Sequence, residues 1–168
     1  MALRCGGRSR VSGDAGLRDV MTSQLLLDAA ERPDLFSWIG PIAESSLREW
    51  LANQGLVLPE DLVELLCATG GGDAFETETI LGPHGRADLG DDFVGANEWL
   101  HDNGLPQNLV AFHRGLFVSA IDRSSGAYVT LAESRFTVVS RFSGLEEWYA
   151  DTLRAEYGAR YGLPDVSE

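Results

Sequence analysis

The stretch "NLVAFHRGLFVSAIDRSSGAYVTLAESRFTVVSRF", Asn108–Phe142, holds four apolar runs separated by short polar turns. The runs are "NLVAFH", "LFVSAI", "AYVTL" and "FTVVSRF", and the turns between them are "RG", "DRSSG" and "AESR". β-Branched and aromatic residues fill the runs, and glycine or serine marks each turn. A connection this short cannot return the chain to a parallel neighbour, which needs a crossover of about a dozen residues. Successive strands must pair antiparallel, as a meander. The stretch therefore predicts an α+β domain: an antiparallel sheet of about four to six strands, with helices packed mainly on one face.

The helices flank this meander. "TSQLLLDAAE" (22–31) reads as a short helix capped by Thr22 or Ser23. Pro33 and Pro41 bracket "DLFSWIG", which reads as irregular. Ser46 and Glu49 have capping-box spacing, and Gly55 is the natural stop of the helix they would open. Pro59, Glu60 and Asp61 suit the start of another, with Leu62, Leu65, Leu66 and Thr69 on one face and Gly70 at its end. Asp91 and Asp92 cap a helix running to Asn103 and stopped by Gly104. Ser143 and Glu146 form a second capping-box pair. The helix they open buries Leu145, Trp148, Tyr149 and Leu153 and ends near Gly158. The expected core contains Trp50, Leu62, Leu66, Phe112, Val118, Val129, Val138 and Trp148.

Between helix and meander lies "ATGGGDAFETETILGP", Ala68–Pro83. A phosphate-binding loop runs from strand through glycines into a helix and ends in Lys-Ser/Thr. Here the order is reversed, Asp73 follows the glycines, and the chain has no lysine. The first glycine reads as a helix stop, and the other two let the chain swing into a strand. "AFETETILG" alternates, with Phe75, Thr77, Thr79 and Leu81 on one face and Ala74, Glu76, Glu78 and Ile80 on the other.

The 168 residues suit one domain with a sizeable core. They carry 26 acids against 13 bases, every base an arginine, for a net charge of −13. That balance disfavours nucleic acid and anionic membranes as partners, because both need a basic surface. It favours a basic protein partner, which opposite fields steer into contact. The two cysteines, Cys5 and Cys67, suggest no disulfide framework, which fits a reducing cytoplasm. Residues 1–20 hold Arg4, Arg8, Arg10 and Arg18 among glycine and serine and read as a disordered, dispensable leader. Residues 21–162 form the domain, and 163–168 read as a loose tail. Glu-Trp recurs at 49–50, 98–99 and 147–148, but the segments between differ too much for a repeat fold.

Taken in order, the elements run helix, "LPEDLVELL", "GGG", strand, "ILGP", helix, "LPQNLVAFH", "AIDRSSGAYV", strand, helix. This order resembles the SUKH superfamily, which takes in yeast cell-wall-assembly regulators and many bacterial proteins. Leu58–Gly71 is similar to the family's opening Leu-Pro helix, and Ile80-Leu81-Gly82 to its central strand. Leu105-Pro106 with Leu109 and Phe112 is similar to its second Leu-Pro entry. Asp122, Gly126 and Tyr128 resemble its hairpin, and Ser143–Tyr149 its closing helix. Roughly residues 43–157 are covered. Thr69 stands where the family often has asparagine, and the turn His113-Arg114-Gly115 is short. The resemblance implies a non-catalytic binding protein. Many bacterial members resemble immunity proteins that neutralise a toxin, often a nuclease, while the yeast relatives are regulatory interaction proteins.

Candidate site residues follow the charge. Asp73, Glu76, Glu78, Asp88, Asp91 and Asp92 fall in one window and form the expected partner-binding surface, with a basic toxin domain as the expected partner of a monomer or weak dimer. Paired carboxylates such as Glu76 and Glu78 also serve acid–base chemistry, though a solvated sheet face is the commoner reason for them. His84, His101 and His113 lack the spacing of a helical zinc site, so no cofactor or metal is expected. A hydrolase built around His84 and Asp88 stays open as a lesser alternative, and a regulatory scaffold binding a cellular protein as a stronger one. Gly-x-Ser-x-Gly is absent, so no serine sits on a nucleophile elbow. Trp38 and Trp99 are candidate exposed aromatics if the acidic window is not the interface.

Overall fold

The computed structural model describes residues 23–166; the expected leader, Cys5 and the last two residues lie outside them. The fold is α+β, with a seven-stranded antiparallel sheet in sequential order. The strands are β1 (Phe36–Trp38), β2 (Gly72–Ala74), β3 (Glu78–Ile80), β4 (Leu109–Arg114), β5 (Val118–Asp122), β6 (Tyr128–Ala132) and β7 (Thr137–Phe142). The meander is β4 to β7, as its turns require. The sheet exceeds the expected four to six strands for two reasons. The segment bracketed by prolines supplies β1, and the alternating run after the glycines is two strands rather than one.

That run folds back on itself. Phe75 and Glu76 have φ of 51° and 70° and turn β2 directly into β3. Left-handed backbone costs a non-glycine residue roughly 1–2 kcal/mol. Burial of the Phe75 ring offsets this: it stacks on Tyr157 at 5.0 Å and meets Phe36 edge-on at 5.0 Å. The preceding glycines form the corner expected of them. A Cβ on Gly72 would lie 2.2 Å from the Ser37 carbonyl oxygen, and one on Gly70 would lie 2.3 Å from that of Gly40. β1 and β2 can approach only because both positions are glycine.

The helices are α1 (Gln24–Glu31), α2 (Glu44–Gln54), α3 (Glu60–Thr69), α4 (Phe93–Asp102), α5 (Leu145–Tyr149) and α6 (Ala155–Tyr161). A π-helical turn, Ala150–Arg154, joins α5 to α6 as one continuous helix. The helix therefore passes Gly158 and stops at Gly162, whose φ is 67°. Neither capping box forms as the spacing suggests. α2 starts two residues before Ser46, after backbone bonds from Gly40 and Ile42 have tied its entry to the end of α3. At α5, Asp61 of α3 accepts from Leu145 N at 2.8 Å, and Glu147 rather than Glu146 holds Ser143. Glu146 instead caps α1 through Gln24 N at 2.9 Å.

Successive residues of β4 and β5 are buried, so both faces of the central sheet are covered. The helix from Leu145 to Tyr161 covers one face, with Trp148 against Phe112 and Tyr157 against Phe75. α4 covers part of the other. Asn97 of α4 accepts from Ala111 N at 2.7 Å and donates to Ala111 O at 2.9 Å, holding the helix to β4 at its bulge. Of the expected core, Trp50 and Val138 are only half-buried, because each sits at the rim of the packed layer; the other six are in it. Leu163 is buried, and Pro164 O accepts from Arg154 Nη2 at 2.5 Å, so the start of the tail packs on the domain.

Candidate functional site

An open groove of about 810 Å³ lies between α4, the loop before it and residues of β3, β4 and the β4–β5 turn. Asp88, Leu89, Asp92, Trp99 and Arg114 line it. The groove exists because Gly82 and Asp92 form an isolated bridge and Phe93 N donates to Gly82 O at 2.9 Å, which loops the chain out between them. Asp92 then caps α4, its carboxylate accepting from Gly95 N at 2.8 Å. Trp99, two turns along α4, is 60% exposed.

Two of the six expected carboxylates, Asp88 and Asp92, line the groove, and Asp91 stands in the loop between them, near enough to Asp73 and Asp88 to feel their charge. Asp73 stands on β2 and accepts from Thr79 Oγ1 at 2.9 Å. Asp88 is exposed and pairs with Arg86 at 2.7 Å, which holds its carboxyl below the ordinary value. Asp91 is half-buried. Burial pushes its carboxyl up, and nearby Asp73 adds to this. Arg114, in the same groove, donates to Gly90 O at 3.2 Å and forms no ion pair among the described residues.

Glu76 and Glu78 do not share a face. Glu76 is exposed in the turn from β2 to β3, whereas Glu78 is wholly buried. The turn removes the two-residue alternation that would have paired them. Glu78 is therefore withdrawn from the partner-binding surface; it belongs to a network inside the core. Its Oε2 lies 2.7 Å from His113 Nε2, and its Oε1 accepts from Tyr157 at 2.6 Å. Leu116 N donates to both of its oxygens, at 3.1 and 3.2 Å. On the far side of the imidazole, His113 Nδ1 is 3.0 Å from Ser119 Oγ, which also accepts from Trp148 Nε1 at 3.0 Å. One protonation pattern satisfies every group. Glu78 is ionised, His113 donates through Nε2, and Ser119 donates its hydroxyl proton to Nδ1. Burial acts to raise the Glu78 carboxyl, but the bonds from His113 and Tyr157 outweigh it and hold the group below its ordinary value. Burial pushes the His113 imidazole down against the pull of Glu78.

Serine, histidine and glutamate in a row resemble a hydrolase triad in connectivity. Here Ser119 and His113 have no exposed surface, and Trp148 occupies the serine oxygen from the other side. A substrate carbonyl has no approach to that oxygen in this conformation. His113, the last residue of the run "NLVAFH" and counted in the short turn His113-Arg114-Gly115 only by the family resemblance, is the fifth residue of β4. Among the described residues no group of three or more His, Cys, Asp and Glu is placed to hold a metal ion. No helix among them is long and apolar enough to cross a membrane.

Sequence reasoning did not single out Leu89, Leu116 or Glu133, which the fold exposes near the groove. Leu116 reads in sequence as the first residue of a buried strand, and only the tight β4–β5 turn turns it outward. No protein-family model matches the chain, and no curated protein sequence matches it. The likeness to the SUKH superfamily rests on the motifs alone.

Proposed function

We propose that this protein is a non-catalytic binding module whose acidic groove receives a basic protein, and that it serves as an immunity protein against a cognate toxin. The observation that carries this reading is an open groove lined by Asp88, Asp92 and an exposed Trp99, with Asp91 in the same loop between those two carboxylates and Asp73 bonded to Thr79 of the lining. A nuclease grips phosphates with arginine and lysine, and carboxylates with an aromatic anchor suit such a surface. The net charge of −13 adds a long-range field of the right sign. Half-buried Asp91, beside Asp73, is the carboxylate that gains most from a partner's cation. The sealed state of Ser119 and His113 is consistent with a role that needs no turnover.

The test is co-expression. A toxin gene beside the native gene is expressed alone and together with this chain, and growth is measured. Rescue that is lost in an Asp73→Asn, Asp88→Asn, Asp91→Asn variant supports the reading. A purified pair that does not associate at low salt sinks it. A cellular protein captured reproducibly in place of a toxin would instead indicate the regulatory role.

A further inference from the structure

A second open groove, of about 710 Å³, lies between β7 and the helix from Leu145 to Tyr161. It meets the first groove at one end of the sheet. Glu133, in the β6–β7 turn, lines both. The β4–β5 turn lies between them, with Gly115 facing the first groove and Leu116 and Phe117 the second. Four of the eight large apolar side chains left exposed among the described residues line these two grooves: Leu89, Trp99, Leu116 and Val139, each more than half exposed. Carboxylates surround them. Asp88, Asp92, Glu133, Asp151 and Glu156 line the grooves, against Arg114 as the single cation.

The turn at the junction is held rigidly from below. Leu116 N donates to both oxygens of Glu78, and that carboxylate is itself fixed by His113 and Tyr157. Glu78 presses so closely on the turn that a Cβ at Gly115 would lie 2.0 Å from Oε2. The buried network thus fixes an exposed leucine, 56% accessible, at the meeting point of two acid-rimmed grooves. Rigid apolar anchors inside a charged rim are the usual anatomy of a binding hot spot, because little ordering entropy remains to be lost.

We propose that the β4–β5 turn, with Leu116 at its tip, is the centre of a docking surface formed by both grooves, and that its occupant is a basic protein surface presenting apolar side chains between arginines or lysines. This rests on the binding-module reading and gives its partner a chemistry. The interface is a band around one end of the sheet, wider than the acidic window, and its core is apolar rather than ionic. Val57, 87% exposed, lies outside the band and serves as the internal control.

The probe is a short peptide alternating arginine and leucine, added to the full chain and followed by amide chemical shifts. Peptides alternating arginine with serine, and glutamate with leucine, are the comparison arms. The expected result is perturbation at Leu116, Trp99 and Val139 with the Arg–Leu peptide, and binding weakened about tenfold or more by Leu116→Ser or Trp99→Ser. Both changes are on exposed side chains and leave the charge unchanged, and the Leu116 amide stays available to Glu78. Val57→Ser should bind as wild type. Perturbation centred on Val57 or Ile39, equal binding of the Glu–Leu peptide, no binding of the Arg–Leu peptide, or unchanged binding by both serine variants overturns the proposal. Any of these outcomes leaves toxin neutralisation to be judged by the growth assay, so the two failures are distinct.

Discussion

Glu78 Oε2 lies 2.7 Å from His113 Nε2, and neither side chain has any exposed surface. Two titratable groups from strands 35 residues apart share one buried proton. Both are held below their ordinary values, the histidine by burial and the glutamate by hydrogen bonds that outweigh burial.

The sign of the pH dependence follows. A group whose folded value is depressed binds more protons when unfolded, so stability falls as pH falls. For His113 the loss begins as pH drops below about 6.5, where the unfolded imidazole protonates. For Glu78 it continues below about 4.5 and is complete once the folded carboxyl also protonates. Thermal unfolding followed across this range should show a melting temperature that declines below neutral pH. In His113→Gln the decline in the upper part of the range should flatten, at an overall cost of about 3 kcal/mol from a core carboxylate left with one fewer donor. A wild-type profile flat to below pH 6 would mean the imidazole is not buried neutral.

Gly115 and Glu78 should be coupled. Gly115→Ala puts a methyl into the Glu78 carboxylate and should cost about 1–3 kcal/mol, the usual range for overpacking. At roughly 3 °C per kcal/mol for a chain of this size, the drop is readily measured. In a Glu78→Ala background the obstruction is gone, so the same substitution should cost much less. A double-mutant cycle by denaturant unfolding measures the difference, and strict additivity would mean the contact is absent.

These two residues also show where the sequence was legible and where it was not. The meander of β4 to β7 could be read because apolar runs and polar turns alternate on a scale that only antiparallel pairing accommodates. The start of α4 could be read because Asp92 is a strong cap. The turn at Phe75 and Glu76 carries no glycine, proline or asparagine, and "FETET" keeps a two-residue alternation through it. Local pattern therefore predicted one strand, and tertiary packing of Phe75 against Tyr157, 82 residues later, decided otherwise. Glu78 changed from a surface carboxylate to a core one for that reason alone. The capping boxes failed similarly: Asp61, distant in sequence, took the position at Leu145 that local spacing assigned to Ser143. Arg114 and Leu116 could not be found from pattern, because what distinguishes them is exposure at a turn.

Asn97 should matter more than a helix-surface asparagine ordinarily does. Its amide satisfies both backbone groups of Ala111 at the β4 bulge. Asn97→Leu would leave a buried N–H and C=O unpaired, a cost of roughly 2–4 kcal/mol for the two groups. Hydrogen exchange at the Ala111 amide should rise by more than at Val129, which sits in the ladder beyond α4. Equal protection loss at both sites would indicate global weakening and not a local anchor.

The acidic groove should show a trade between stability and binding. Asp91 is pushed up by burial and by Asp73, so its charged form is disfavoured in the folded chain. A raised carboxyl is the opposite case to Glu78: its stability contribution is fully present below the unfolded value and is lost as pH rises through the folded one. Asp91→Asn should therefore raise the melting temperature slightly near neutral pH, while the same substitution removes a charge that a basic partner would meet. Asp73→Asn, Asp88→Asn and Asp91→Asn together should slow association with a basic partner and flatten its dependence on salt, with a smaller effect on dissociation, because rim charges act on encounter. Asp92 is left intact since it caps α4. Glu78 is left intact since its charge faces His113 and not solvent. Stopped-flow association at low and high salt, beside thermal unfolding of the same proteins, measures both halves. A triple variant that is more stable but associates as fast as wild type would make the carboxylates a solubility surface. A triple variant that loses stability would show that the bonds of Asp88 to Arg86 and of Asp73 to Thr79 outweigh the relief gained at Asp91.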